Sequence, residues 1–323
     1  MPRALVTGAS GFVGPHLCAA LEAHGCEVWT TDRSPAPPGR SQSQAAASRH
    51  SRCDLADAAA VRALVESTRP EWIFHLASLS SVAHSFENPN EVLLGNLGAA
   101  CNVLEAVRRA APLARLLVVG SAEQYGAVPE GEQPIRETQP FRPASPYAVG
   151  KVAQEYLALQ YAATWGVDVV LARSFNHSGP GQSDRFVLPA FAAQIAACEQ
   201  GRQEPVLRVG NLDVWRDFLD VRDVVRAYVL LAERGEHGTA YNVCRGETFR
   251  IRDLLDGLLA QARRPLRVEP DPARWRPVDL PVLRGDPSRL RERTGWSPSL
   301  DMHRTLGDLL DDWRGRTAGA GAS

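Results

Sequence analysis

The chain opens on a short apolar run, Ala4-Leu-Val-Thr7. It breaks directly into Gly8-Ala-Ser-Gly11-Phe-Val-Gly14, with helical periodicity from Phe12 to His24. Strand, glycine turn and helix in this order constrain the fold more than any other feature of the sequence. A four-residue apolar run ended by glycine reads as a buried strand. The three glycines, spaced GxxGxxG, have separate physical uses. Gly8 permits a tight exit from the strand, Gly11 lets the backbone approach a pyrophosphate, and Gly14 lets the helix pack close to the sheet. The helix start directs its amide groups and positive dipole end to the same place, which suits an anion. A glycine run alone would also fit an ordinary turn; its place between strand and helix makes it a dinucleotide-binding motif.

Strand and helix patterns then alternate. Glu27-Val-Trp-Thr-Thr31 reads as the next strand and ends at Asp32, about twenty residues past the glycines. An acid there accepts hydrogen bonds from adenosine ribose hydroxyls, which suits NAD; its neighbour Arg33 would meet a 2′-phosphate, which suits NADP. The two signals leave the choice open. Residues 33–49, rich in Pro, Ser, Gln and Ala, suggest a variable surface loop. Asp54 and Leu55, after the third strand, either line an adenine pocket or, for Asp54, cap a helix. Helices are expected over Asp57–Thr68, Asn90–Ala110 and Pro146–Trp165. Strands are expected over Trp72–Leu76, Arg115–Val119 and Val167–Ala172. This rhythm predicts an α/β fold, a Rossmann-type doubly wound parallel sheet with right-handed crossovers. After Arg173 the loops lengthen, and Pro277, Pro281, Pro287 and Pro298 punctuate the last third. We expect residues 1–172 to form the dinucleotide-binding domain, with about 213–247 returning to it. Residues 173–316 mainly form a smaller substrate-binding lobe over the carboxyl edge of the sheet, and 317–323 a frayed tail.

Composition narrows the function classes. With 323 residues, 44% hydrophobic and 23% charged, the chain has room for two lobes around a cleft. A net charge of −1 gives no general attraction to nucleic acid or to a membrane surface. Cys18, Cys26, Cys53, Cys101, Cys198 and Cys244 are scattered, without zinc-like spacing, so no metal site is expected. Their scatter fits a reducing compartment, and the first strand starts too early for a signal peptide. A cytoplasmic location is the expectation. His75 reads as a packed core residue, and His177 as either a substrate contact or a structural hydrogen bond. His16 and His24 offer no metal pairing. Trp215 and Trp275 either border the ligand pocket or, as the default for tryptophan, join the core.

The chemistry-bearing pair is Tyr147 and Lys151. At i and i+4 on a helix they share one face, with Ser145 as N-cap and Pro146 in the first helical position. An ammonium beside a phenol favours the phenolate and lowers its pKa, which would make Tyr147 a proton donor or acceptor near neutral pH. The pair alone also fits a solvated helix face. Ser121, at the carboxyl end of the strand Leu116–Gly120, adds a hydroxyl that can hold a substrate oxygen.

The segments VTGASGFVG, IFHLAS (which contains His75 to Ser78), GSAEQYG and SPYAVGK resemble the extended short-chain dehydrogenase/reductases that act on nucleotide sugars. The resemblance spans essentially the whole chain. It implies an enzyme in which Ser121, Tyr147 and Lys151 are catalytic. It places Gly8, Gly11, Phe12, Val13, Gly14, Asp32, Arg33, Asp54, Leu55, Leu76, Ala77, Tyr147 and Lys151 at contacts with NAD(P)H. The run Arg173-Ser-Phe-Asn-His-Ser-Gly-Pro-Gly-Gln-Ser183 resembles the GDP-sugar branch, specifically its GDP-4-keto-6-deoxy-mannose reductases, which form GDP-rhamnose. Asn176 would then hold a phosphate of the GDP-sugar, and Ser121 its reacting oxygen. Arg216 and Arg276 would grip the pyrophosphate, for which guanidinium forks are well shaped. Glu123, two residues past Ser121, has the spacing of the glutamate that serves water elimination in GDP-mannose 4,6-dehydratases. A dehydratase or epimerase is therefore the alternative. A non-catalytic dinucleotide-binding regulator is remote, because Tyr147 and Lys151 are both present. The resemblance also implies a homodimer joined through the helices at 90–110 and 146–165.

Overall fold

The apolar runs Ala4–Val6, Leu116–Val118 and Val169–Ala172 are buried along their whole length. Strands with no polar face must be covered on both sides, as in a parallel sheet with helices on each face. The structure, a computed structural model, describes residues 1–34, 49–275 and 281–319. Six strands, β1 (Arg3–Thr7), β2 (Glu27–Asp32), β3 (His50–Arg52), β4 (Trp72–His75), β5 (Arg115–Ser121) and β6 (Val169–Ser174), join the strand Thr239–Val243. They form one parallel sheet in the order Thr239–Val243, β6, β5, β4, β1, β2, β3. Strand order reverses beside β1, whose neighbours are β2 and β4. Open α/β sheets bind ligands at the carboxyl ends beside such a reversal.

Side-chain alternation sorts each strand between two cores. Ala4 and Val6 point to a cluster with Leu17, Leu21, Val224 and Tyr228, from the helices Val13–Ala23 and Val221–Arg234. Leu5 points the other way, to Val61, Leu104, Val107 and Ala158, from Ala58–Thr68, Pro89–Ala110 and Pro146–Trp165. A third cluster, with Leu188, Ile195, Leu255 and Leu309, joins the helices Val187–Glu199, Ile251–Leu259 and Met302–Gly319.

Several details differ from expectation. The cap of the Ala58–Thr68 helix is Asp57, which accepts from the Ala59 and Ala60 amides. Asp54 instead accepts from the Ala56 amide two residues on. The last helix runs through Gly319, past the point where the tail was expected to fray. Trp215 and Trp275 are 40% and 59% exposed, so neither joins the core. Among the described residues no group of His, Cys, Asp and Glu is arranged to hold a metal, and no helix is long and apolar enough to cross a membrane. All six cysteines are free thiols.

Candidate active site

Ser145 adopts an extended conformation and its side chain accepts from the Ala148 amide at 3.1 Å, while Pro146 fills the first turn. This start fixes Tyr147 and Lys151 on the inner face of the helix, where both are buried. The Lys151 ammonium lies 5.9 Å from the centroid of the Tyr147 ring. It donates to the Val119 carbonyl at 2.8 Å and to Gln154 Oε1 at 3.2 Å. Burial lowers its pKa to about 8.

Tyr147 corrects one expectation. Its pKa is pushed up to about 12, because burial outweighs a hydrogen bond with Ser121, and the nearby Glu123 adds to the rise. The neighbouring ammonium does not turn the phenol into a phenolate. Desolvation of a charged oxygen is the larger effect here, so Tyr147 keeps its proton at neutral pH.

Ser121 is the last residue of β5 and the N-cap of a short 3-10 turn, Ala122–Tyr125. Its hydroxyl accepts from the Glu123 amide at 3.2 Å, and its own amide donates to Gln124 Oε1 at 2.7 Å. Gln124 is anchored in turn: its Nε2 donates to Glu155 Oε2 at 2.8 Å. A Cβ on Gly120 would collide with the Gln124 carbonyl oxygen, so the glycine makes room for this bond. Glu155 is paired with Arg173, whose Nη1 reaches the Tyr125 hydroxyl at 2.7 Å. Tyr125 donates to Asn242 Oδ1 at 2.7 Å. The hydroxyl end of β5 is thus tied through buried polar groups to β6 and to the strand Thr239–Val243. Glu155 and Asn242 have no role assigned by the sequence, and Gln124 and Arg173 stand within GSAEQYG and the Arg173–Ser183 run without one.

The glycine loop fits a dinucleotide. Gly8 has φ +70°, and a Cβ there would stand 2.8 Å from the Ala77 backbone. On Gly11 a Cβ would meet only the Gly8 carbonyl oxygen, at 3.2 Å, so packing within the protein does not require this glycine; close approach of a ligand does. A Cβ on Gly14 would strike the Ala9 backbone, so this glycine lets the helix start close against the loop that leaves β1. The N-cap of the helix that follows at Val13 is Phe12, which has no side-chain acceptor to offer, and this suits an anion at the first amides. Asp32 accepts from the Ser10 amide at 2.8 Å, binding the end of β2 to the glycine loop, and burial raises its pKa. Arg33 is exposed, and its carbonyl accepts from Arg52 Nε at 3.0 Å. Leu76 and Val13 pack on the core under the loop. Leu55 holds Asn102 Nδ2 through its carbonyl at 2.8 Å. Ser78 Oγ and Asn176 Nδ2 are among the buried polar atoms that have no partner among the described residues. Buried donors of this kind are normally satisfied, and at the carboxyl edge a bound nucleotide would satisfy them. The residues present therefore fit NAD(P)H.

On the substrate side, Asn176 begins a strand paired in parallel with Phe218–Asp220, which places it beside the segment carrying Arg216. Arg216 Nη1 donates to the Trp215 carbonyl at 2.9 Å. The next residue, Asp217, is fully buried and accepts from the amides of Arg245, Gly246 and Gly285, pinning this segment to two loops. Burial raises its pKa to about 7. Arg276 lies outside the described residues. His177 makes the structural choice: Nδ1 bonds the Phe175 carbonyl at 2.9 Å and the ring stacks on Phe12. His75 is a core residue, bonded to Thr7 Oγ1 at 3.0 Å.

The sequence matches the family described as GDP-mannose 4,6 dehydratase over residues 5–309. The chain belongs to that family. This places it among the extended short-chain dehydrogenase/reductases, which are NAD(P)-dependent enzymes. Relatives within the GDP-mannose 4,6 dehydratase family differ in activity. The chain is 40% identical over 314 residues to the GDP-6-deoxy-D-mannose reductase of Pseudomonas aeruginosa, covering 97% of this chain and 98% of that one. It is 29% identical over 265 residues to GDP-mannose 4,6 dehydratase 1 of Arabidopsis thaliana, covering 80% and 72%. Among solved structures it superposes on RMD from Pseudomonas aeruginosa complexed with NADPH, with a TM-score of 0.85, 37% identity and coverage of 98% and 100%. It also superposes on the Thermus thermophilus UDP-glucose 4-epimerase complex with NAD, with a TM-score of 0.84, 30% identity and coverage of 97% and 99%.

Proposed function

We propose that this enzyme reduces the 4-keto group of GDP-4-keto-6-deoxy-D-mannose to give GDP-D-rhamnose. The observation that carries the reading is a buried Tyr147 beside Ser121 and Lys151, in a chain that follows the Pseudomonas reductase over nearly its full length. NAD(P)H held at the glycine loop would supply the hydride for C4. Tyr147 gives its phenolic proton to the C4 oxygen as negative charge develops there. Ser121 hydrogen-bonds the same oxygen and orients the carbonyl. Lys151, held by Val119 and Gln154, presents its remaining donor capacity toward the nicotinamide ribose and supports Tyr147 once the proton has left.

In this reading residues 1–172 hold the dinucleotide through the glycine loop, Asp32 or Arg33, Asp54 and Ala77. The lobe over 173–316 holds the GDP-sugar through Asn176, Arg216 and Arg276. The enzyme works in the cytoplasm as a homodimer. Leu94, Val149 and Tyr156 are 71%, 45% and 60% exposed on the helices Pro89–Ala110 and Pro146–Trp165. Apolar side chains grouped on two neighbouring helices favour a protein partner there.

The deciding assay follows the absorbance of reduced nicotinamide with NADH and NADPH in parallel. GDP-4-keto-6-deoxy-mannose is the substrate and GDP-mannose the control. Oxidation of cofactor with the keto sugar alone is the expected result. Conversion of GDP-mannose to a keto product, without net oxidation, would move the enzyme to the dehydratase reading. That second reading has its own observation: the Glu123 charge acts on Tyr147. For a reductase, Glu123→Gln should lower kcat less than about tenfold, since no step needs a base at that position. Loss of all turnover in this variant would point to elimination.

A further inference from the structure

We propose that Gln154 is a positioning residue for Lys151, holding the ammonium beside Tyr147 through its side-chain carbonyl. Gln154 stands one helical turn after Lys151 and is itself buried, 2% exposed. Its Oε1 accepts from the ammonium at 3.2 Å, while the Val119 carbonyl accepts at 2.8 Å. Its Nε2 is buried and has no partner among the described residues. An amide turned the other way would set NH2 against NH3⁺, so the orientation is fixed by the lysine. A buried donor left unpaired is a standing cost. That cost makes sense if the carbonyl end has a task that an apolar side chain cannot perform.

The task follows from the surroundings. Lys151 sees the Tyr147 ring, the Val119 carbonyl and His75; the His75 ring is kept neutral by burial and by Lys151 itself, with a pKa lowered to about 3. The Glu123 charge acts on the Tyr147 phenol, raising its pKa. Glu155, next to Gln154 in the chain, is fully engaged by Arg173 and Gln124. Among the described residues no carboxylate pairs directly with the ammonium, and burial draws its pKa down to about 8. Each acceptor that bonds the charged form opposes this fall. A leucine at 154 would leave one carbonyl acceptor and push Lys151 further toward the neutral amine. A glutamate would pair with the ammonium and hold the charge to higher pH. The neutral amide lies between these limits and fixes the geometry as well.

The sign of the test follows. A reaction that needs the ammonium is active below the pKa of Lys151 and loses activity as pH rises through it. In the wild-type enzyme, kcat/KM should fall above a limb near 8. Gln154→Leu should move this limb down by about one pH unit, leaving activity about tenfold lower on the alkaline side. Gln154→Glu should move it up by about one unit. Opposite shifts are something a merely structural role would not produce. Cofactor titration and thermal melting accompany each variant. If Leu does not fold, Gln154→Met, unbranched and without an acceptor, is read in its place. An unmoved limb, or shifts of the same sign, overturns the inference. It rests on the reading of Lys151 as an active-site ammonium, and Lys151→Met separates the two. Wild-type turnover in Lys151→Met would remove that reading itself. An inactive Lys151→Met with unmoved Gln154 limbs would remove only the role of Gln154.

Discussion

Tyr147→Phe is expected to lower kcat with the keto sugar by a factor of about 10² to 10⁴ while the affinity for reduced cofactor stays within about twofold. Phenylalanine keeps the ring that packs under the site and removes only the hydroxyl. The residual rate reflects substrate bound next to a hydride donor with no acid to protonate C4–O⁻. The proton at stake is secure at neutral pH, because burial and the neighbouring Glu123 hold the phenol to about pH 12. A reductase consumes a proton, so this direction of shift suits reduction. It also means that the alkaline limb of activity belongs to Lys151, near 8, rather than to the phenol. Stopped-flow turnover together with fluorescence titration of cofactor gives both quantities. Turnover within threefold of wild type, with cofactor still bound, would remove Tyr147 from the chemistry.

The contrast between Tyr147 and the sequence expectation marks where sequence reasoning stops. Spacing alone brings Tyr147 and Lys151 to one helix face, because a helical turn is nearly the same everywhere. Spacing does not report how much water is excluded, and burial decided the phenol's charge state. The same division holds elsewhere. The parallel sheet was legible in β1, β5 and β6, since an apolar run with no polar face has few ways to be covered. The seventh strand was harder to assign, because Thr239–Val243 lies far along the chain from β6, its neighbour in the sheet. Gly8 and Gly11 could be assigned from local turn chemistry. Gly120 could not, because its need comes from the Gln124 amide folding back from the turn. Trp215 and Trp275 went to the surface against the usual habit of tryptophan, and no local pattern announced it. Glu155 and Asp217 are silent in sequence because each acts on groups that tertiary structure brings to it, and Gln154, only a helical turn from Lys151, is silent because its weight comes from the burial of both side chains.

The second large effect concerns stability and comes from that silent group. Arg173→Met should destabilise the fold by about 3 to 5 kcal/mol, the range for removing one partner of a buried ion pair. The side chains of Arg173 and Glu155 are only 8% and 3% exposed, and their closest N–O distance is 2.5 Å. Without the guanidinium, Glu155 would remain as a buried carboxylate with one neutral donor, Gln124 Nε2. The Tyr125 hydroxyl and the Glu137 carbonyl would lose a donor in the same step. The double replacement Arg173→Met with Glu155→Leu should lose less than the sum of the two single changes, because no charge is then stranded. Denaturant unfolding of the four proteins measures the coupling. The network also predicts how loss of stability becomes loss of function: Gln124 would let go of the Ser121 amide, so the double variant should show a lowered kcat even where it remains folded. Additive losses, or a single-variant effect below about 1 kcal/mol, would show that the pair is not what fixes the hydroxyl end of β5.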